Sequence, residues 1–146
     1  MKNLLLILLF ILSFSLFSFE KSETYSLTVN VSNLRNSDGV VLVLLYDKDG
    51  TIPDKQRSKY LIKRTINIEA GEASITFTNL PSKTYAVNII HDENNNGVID
   101  MGFMFPKEGV GFTNFEKLNL MNRPNFSKAS FELKSNMTLS VKTIYM

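Results

Sequence analysis

Ten consecutive residues have a spacing that suggests chemistry, namely the binding of a hard cation. Residues 91–100 read HDENNNGVID, with side-chain oxygens at alternate positions, then a glycine, then a further carboxylate. In a calcium loop, alternate residues point toward the ion, glycine supplies the sharp turn and a backbone carbonyl joins the ligand set. With calcium as the candidate cofactor, the predicted ligands are the side chains of Asp92, Asn94, Asn96 and Asp100 and the carbonyl oxygen of Val98.

The pattern is shorter than that of a complete helix–loop–helix calcium site. The position of the usual bidentate glutamate is Phe103 here, and Glu93 and Glu108 are the acidic residues that could replace it. The same residues also fit an Asx-rich turn, in which Asn and Asp side chains bind their own backbone. Because the chain is rich in Asn, we favour the turn and keep the calcium loop as the alternative.

A catalytic constellation is hard to assemble from these residues. His91 is the only histidine, there is no cysteine, and no Gly-x-Ser-x-Gly motif holds a nucleophilic serine. Neighbouring residues at a strand end point to opposite sides, so His91 and Asp92 are poorly placed to pair. We therefore predict a non-catalytic histidine and name no catalytic residue. The competing function is a metal-assisted hydrolase that uses the 91–100 loop.

Composition excludes several other classes of protein. The 146 residues suffice for one domain. The lack of cysteine excludes a disulfide framework and a thiolate metal centre. Sixteen Lys and Arg against 14 Asp and Glu give a net charge of +2, which argues against nucleic acid as a partner because a nucleic-acid binder needs a basic stripe.

Residues 1–19 predict a secretory signal peptide. Lys2 provides a positive start, Leu4–Leu12 is apolar throughout, and serines follow, with cleavage expected near Ser18. The competing interpretation is a retained membrane anchor, although the apolar run is barely long enough to cross a bilayer. Cleavage would leave residues 20–146 as a single domain with no membrane span, in the periplasm or outside the cell.

The remaining chain alternates apolar and polar residues with the period of a β-strand. Val40–Tyr46 is apolar throughout, which predicts a central strand covered on both faces, and Lys59–Ile68 reads as an edge strand. About seven short strands separated by turn signals predict an all-β fold, an antiparallel β-sandwich. The predicted inward residues are Leu27, Val29, Val31, Ala73, Ile75, Phe77, Tyr85, Val87, Ile89, Ala129, Phe131, Leu133, Met137, Leu139 and Val141.

Two features of the segment after the polar loop allow further predictions. Thr113 and Glu116 form a capping-box pattern, so residues 113–121 are the only helix candidate. Four phenylalanines lie between residues 103 and 115. They fit either an exposed apolar patch for a ligand or partner or a satellite cluster that pins a long loop to the sandwich. The glycines of this segment would allow the chain to fold back tightly, which favours the second interpretation.

Four motifs together resemble the bacterial domain of unknown function 2141 family. They are F-x-N-L-P-x-x-x-Y-A-V at residues 77–87, HDENNNGVID at 91–100, PKEGVGFTN at 106–114 and PNFSKASF at 124–131. One departure is Lys83, where similar sequences usually place glycine. The resemblance implies an exported bacterial protein with an immunoglobulin-like or prealbumin-like β-sandwich. It implies no known activity and therefore no catalytic residues.

Together these observations predict an exported, non-enzymatic β-sandwich module of the bacterial cell envelope. Its ligand or protein partner is not specified by the sequence. Calcium stabilisation of the 91–100 loop stays open beside the plain turn, and the metal-assisted hydrolase is the alternative function.

Overall fold

The computed structural model describes residues 22–54, 56–103 and 106–146. The predicted signal peptide, residues 1–19, lies outside the described residues. The elements are β1 (Thr24–Ser32), β2 (Val40–Tyr46), β3 (Ile62–Ile66), β4 (Ala73–Pro81), β5 (Lys83–Asp92), β6 (Gly109–Phe112), α1 (Phe126–Ala129), β7 (Ser130–Leu133) and β8 (Met137–Lys142). Within the described ranges, no helix is long and apolar enough to cross a membrane.

The strands form two sheets, which confirms the predicted β-sandwich. One sheet has the order β4-β1-β8, and the other has β3-β2-β5 with β6 and β7 both on the far edge of β5. All pairs are antiparallel except β1 with β8, where Leu27 lies beside Met137 in a parallel register. Alternate residues of both sheets fill the space between them, so the inward faces predicted for β1, β4, β5 and β8 form the main core.

The far edge of β5 is shared by two short strands. Residues 83–86 pair with β7 and residues 88–91 pair with β6, which leaves Val87 at the junction. Thr113 fills this position, because its hydroxyl accepts from the Val87 amide at 2.8 Å and its own amide donates to the Val87 carbonyl at 3.0 Å. The Asn114 side chain then donates to the Ser130 carbonyl at 3.0 Å, so the end of β6 is tied to the start of β7.

Strand β2 is buried along its whole length, as its apolar sequence predicts. One face of β2 packs in the core between the sheets, and the other lies under long loops. This second, outer cluster contains Val40, Leu42, Leu44, Tyr46, Ile52, Ala86, Ile90, Val110, Phe115, Phe126 and Ala129. The five-stranded sheet is therefore covered by the other sheet on one side and by a layer of loops on the other.

Two sequence predictions about local structure are wrong. Residues 113–121 contain no helix, because the Thr113 oxygen that would cap one is bonded to Val87 and Asn114 takes a positive φ of 66°. The helix is instead the single turn α1, where the Asn125 side chain accepts from the Lys128 amide at 2.9 Å. Ala129 ends this turn and packs in the outer cluster, so it is not an inward residue of β7.

The structure has eight strands where the sequence predicted about seven, and the additional strand is β6. Two of its four residues are glycine, which weakens the sequence signal of a strand. Both lie against the C-terminal segment: a Cβ at Gly111 would lie 2.3 Å from the Lys142 carbonyl oxygen, and a Cβ at Gly109 would lie 2.4 Å from Cγ2 of Thr143. Close approach to the C-terminal strand therefore requires glycine where β-propensity would favour a larger residue.

The connection from β4 to β5 is shorter than the turn predicted over residues 79–83. Strand β4 continues to Pro81, and the β1–β4 register shifts between Tyr25 and Leu27, opposite Asn79, which has a positive φ of 58°. A bulge at Asn79 thus supplies the irregular conformation. Lys83 begins β5 and does not have a positive φ, so the turn does not need the glycine common in similar sequences. Its ammonium pairs with Asp47 at 2.7 Å.

Candidate functional site

The 91–100 loop begins at the end of β5, where Asp92 is fully buried. Its two carboxylate oxygens accept from the amides of Asn96 at 3.1 Å and Gly97 at 2.7 Å. The Asn94 side-chain oxygen also accepts from the Asn96 amide, and the Asn96 oxygen accepts from the Val98 amide at 2.8 Å. These are the contacts of successive Asx turns, and Gly97 takes the positive φ (76°) that the pattern predicts.

Asp100, at the end of the loop, contacts side chains from the first half of the loop. Its carboxylate accepts from the side-chain amides of Asn94 at 2.6 Å and Asn96 at 3.4 Å. The curl therefore brings together all four predicted side-chain ligands, Asp92, Asn94, Asn96 and Asp100. Val98 follows the turn with its side chain half exposed.

Glu108 is the third carboxylate of this cluster. It is 3% exposed, and its oxygens accept from the amides of Glu93 at 3.2 Å and Asp100 at 3.0 Å. Burial raises the pKa of Glu108 above its usual range, and the nearby charges of Asp92 and Asp100 raise it further. Of the two acidic residues that the sequence offered for the missing carboxylate, Glu108 is the one beside the loop.

Glu93 is committed to a different contact. It forms an ion pair with Arg35, whose Nε donates to it at 2.9 Å, and the Asn36 side chain donates to it at 2.6 Å. The Arg35 hydrogen bond lowers the pKa of Glu93 below its usual range. This carboxylate therefore joins the 91–100 loop to the β1–β2 connection.

The donor set around the loop is mixed. In the described part of the chain, no group of three or more His, Cys, Asp or Glu side chains is arranged to hold a metal ion. A cation here would need the neutral oxygens of Asn94, Asn96 and Val98 beside the carboxylates. Each carboxylate oxygen that accepts one hydrogen bond retains a further lone pair, so these contacts do not use up the coordinating capacity of the loop.

His91 lies inside the sandwich. It is fully buried, its Nδ1 is 2.7 Å from the Tyr145 hydroxyl and its Nε2 is 2.9 Å from the Asp38 carbonyl oxygen. Because a carbonyl only accepts, Nε2 carries the hydrogen and Nδ1 accepts from Tyr145. Both ring nitrogens are thus engaged in the fold.

A cleft opens on the loop-covered side of the five-stranded sheet, next to the 91–100 loop. It has a volume of about 350 Å³, its floor comes from β2, β5 and β6, and its walls come from the surrounding loops. We call it the outer cleft. It is lined by Tyr46, Ile52, Pro53, Asp54, Arg57, Asn88, Ile99, Pro106, Val110, Phe112, Leu118, Asn119, Leu120, Arg123, Pro124 and Met146.

The sequence did not identify the outer cleft. Its residues come from seven separate stretches of sequence, and none of these has a motif typical of a ligand site. The available signal was the unbroken apolar run of β2, because a strand that is apolar on both faces requires a cover on each. That signal locates the covered face but not the gap between the covering loops.

The phenylalanine-rich segment divides between its two interpretations. Phe115 is buried in the outer cluster and Phe112 lines the outer cleft, as a satellite cluster predicts. Phe103, in contrast, is fully exposed, two residues after Met101, which forms an isolated bridge with Pro106. Phe105 lies outside the described residues.

A larger depression, of about 820 Å³, opens between the sheets near the β1–β2 and β3–β4 connections. Short polar side chains dominate its lining, with Glu69 and Glu72 at one side. Small-molecule sites are usually mostly apolar with a few convergent polar groups. The outer cleft fits that description better in spite of its smaller volume.

The sequence profile of a family described as an uncharacterized protein conserved in bacteria (DUF2141) matches residues 29–140. The matched range includes both sheets, the 91–100 loop and most residues of the outer cleft. No curated protein and no solved structure matches the chain.

Proposed function

Because the chain belongs to the bacterial domain of unknown function 2141 family, whose description names no activity, we propose a function from its geometry. The protein is an exported, non-enzymatic binding module of the cell envelope, and the outer cleft is its ligand site. The observation that carries the proposal is the cleft itself. Its volume of about 350 Å³ is within the range of small-molecule sites.

Asn88 gives the outer cleft a polar group at its floor. It is 7% exposed, and its amide nitrogen donates to the Gly111 carbonyl at 2.9 Å. Among the described residues, no hydrogen-bond donor reaches its side-chain oxygen. An apolar cavity with a fixed acceptor is the usual arrangement of a site that orients a small molecule.

Export rests on residues 1–19. Fractionation of the producing cell, with intact-mass analysis of the recovered protein, tests it. A protein that keeps residues 1–17 in a membrane pellet would contradict cleavage. The hydrolase alternative has no specific observation in its favour, since it depends on the same loop and on a histidine whose nitrogens are both engaged.

Binding in the outer cleft can be measured with N-phenyl-1-naphthylamine, a neutral apolar dye that fluoresces when it leaves water. We expect saturable one-to-one binding by the folded protein. Leu118→Asp should weaken it at least tenfold, about 1.4 kcal/mol, because the new carboxylate faces the apolar cavity. Leu61→Asp is the matched control, since Leu61 is exposed and outside the cleft. Absence of saturable binding, or equal effects of the two substitutions, would overturn the proposal.

We also propose that the 91–100 loop takes a calcium ion that orders it. Support comes from the curl of the loop, which brings the Asp100 carboxylate to the side chains of Asn94 and Asn96 and turns the Asp92 carboxylate toward the amide of Asn96. We expect a calcium dissociation constant of about 0.1–1 mM, the range of weak extracellular calcium sites. Calcium at ten times that value would stabilise the fold by about 1.4 kcal/mol, a melting shift of roughly 3–6 °C.

Thermal melts in calcium, in magnesium and in chelator test this, and each variant is compared with itself in chelator. Asp100→Asn should abolish the calcium shift because it removes a charged ligand. It keeps an oxygen that can still accept from the side-chain amides of Asn94 and Asn96, so the loop itself should be little disturbed. Asp92→Ala should abolish it as well, whereas Glu93→Ala should leave most of it because Glu93 faces Arg35. If the unaltered protein melts at the same temperature in calcium and in chelator, the loop does not bind calcium and is only a set of Asx turns.

A further inference from the structure

The surroundings of the outer cleft contain an unusual number of exposed apolar side chains. Leu120 lines the cleft and is 59% exposed, and Met121 beside it is 95% exposed. Met101, which forms a bridge with the cleft residue Pro106, is 60% exposed, and Phe103 nearby in the sequence is fully exposed. Large apolar side chains clustered around a cavity mark a site that receives apolar material.

The charged side chains of the outer cleft have one dominant sign. Two arginines, Arg57 and Arg123, and one acid, Asp54, line it. The Asp54 carboxylate accepts from the amides of Ser58 at 3.1 Å and Lys59 at 2.8 Å, so its oxygens are held by its own loop, and the three charged residues together leave the lining with a net positive charge.

The arginines have donors to spare. Arg57 uses one nitrogen on the Gly97 carbonyl at 2.9 Å, and a guanidinium has five N–H groups. Among the described residues, the Arg123 side chain has no hydrogen-bond or ion-pair partner. A planar guanidinium is well suited to a carboxylate or phosphate, which it can bind with two parallel hydrogen bonds.

We propose that the ligand of the outer cleft is a small anionic amphiphile: an apolar chain in the cavity, with a carboxylate or phosphate held by Arg57 and Arg123. This inference rests on the proposed function and specifies its ligand class. The apolar chain of such a ligand would contact the apolar lining and the exposed apolar side chains around the cleft. Its acid group would bind the two arginines. The link between Arg57 and Gly97 also joins the cleft to the 91–100 loop.

Four ten-carbon probes test the charge requirement by displacement of N-phenyl-1-naphthylamine at pH 7.5. They are decanoate, decyl phosphate, neutral decanol and cationic decyltrimethylammonium, all used below their micellar concentrations. We expect the better of the two anions to bind at least tenfold more tightly than the cation, with decanol between them. The comparison of decanoate with decyl phosphate identifies the preferred acid group.

Substitution of the arginines separates charge from apolar contact. In Arg57→Gln/Arg123→Gln, the anion-to-cation ratio should fall below threefold while dye binding persists. Arg64→Gln is the matched control, because Arg64 is on the edge strand β3 and outside the cleft. Dye binding with equal displacement by all four probes would overturn the anionic ligand and leave the binding function standing. Absence of dye binding would overturn both.

Discussion

Replacement of Val43 by aspartate is expected to remove a large part of the free energy of unfolding. Val43 is fully buried in the middle of β2 and packs in the core between the sheets. A carboxylate there loses its water and gains no partner, at a cost of about 4 kcal/mol or more. A domain has only about 5–15 kcal/mol in total. Urea unfolding followed by circular dichroism measures the loss.

Two further variants make this result interpretable. Thr76→Asp places the same carboxylate on the solvent face of β4, where only a 2.9 Å contact with the Thr28 hydroxyl is lost, so the expected cost is about 0.5 kcal/mol. Val43→Thr keeps the shape and adds a hydroxyl, at about 1–3 kcal/mol, and so gives a measurable value if Val43→Asp does not fold. Similar losses for Val43→Asp and Thr76→Asp would contradict the strand register.

Gly39→Ala is expected to cost about 2–5 kcal/mol, although residue 39 is exposed. A Cβ on Gly39 would lie 1.9 Å from the Asp92 carbonyl oxygen and 2.6 Å from the Glu93 carbonyl carbon, both backbone atoms. The residue also has a positive φ of 66°. The substitution therefore forces apart the β1–β2 connection and the first residues of the 91–100 loop, and urea unfolding should show the loss.

Gly50→Ala is the matched control for this effect. Gly50 has nearly the same backbone conformation, with φ of 73°, but a Cβ there meets nothing within 4 Å. Its cost should be limited to backbone strain of about 1–2 kcal/mol. Hydrogen exchange of the amides at residues 93–97 should also accelerate in Gly39→Ala and not in Gly50→Ala. If both substitutions cost the same, the close approach to Asp92 is not a constraint on the fold.

The parts of the fold that follow from alternation were predictable, because burial of one strand face repeats every second residue. This holds for Leu27 to Val31. In β5 the predicted residues Tyr85, Val87 and Ile89 do lie in the core between the sheets, but the residues between them are buried too. The doubly apolar β2 correctly required a cover on both faces. Strand β6 was missed because its two glycines are required by close contact with the C-terminal segment and carry no β-strand signal. The capping-box pattern failed because a distant backbone amide, that of Val87, competes for the Thr113 oxygen.

The candidate site shows the same division between local and long-range information. The curl of residues 92–100 is local, so its spacing predicted the turn at Gly97 and the return of Asp100 to the side chains of Asn94 and Asn96. The choice between Glu93 and Glu108 depended on Arg35, which lies far away in the sequence. The outer cleft depended on how several loops pack on one sheet face, which no periodic pattern encodes.

The shared edge of β5 has an evolutionary consequence. The segment between β6 and β7 leaves that edge and rejoins it, and Thr113 and Asn114 hold its two ends together. Insertions, deletions and substitutions in residues 116–124 can therefore accumulate without a change in strand pairing. Because this segment also supplies one wall of the outer cleft, sequence drift there would reshape the cleft while the sandwich stays the same.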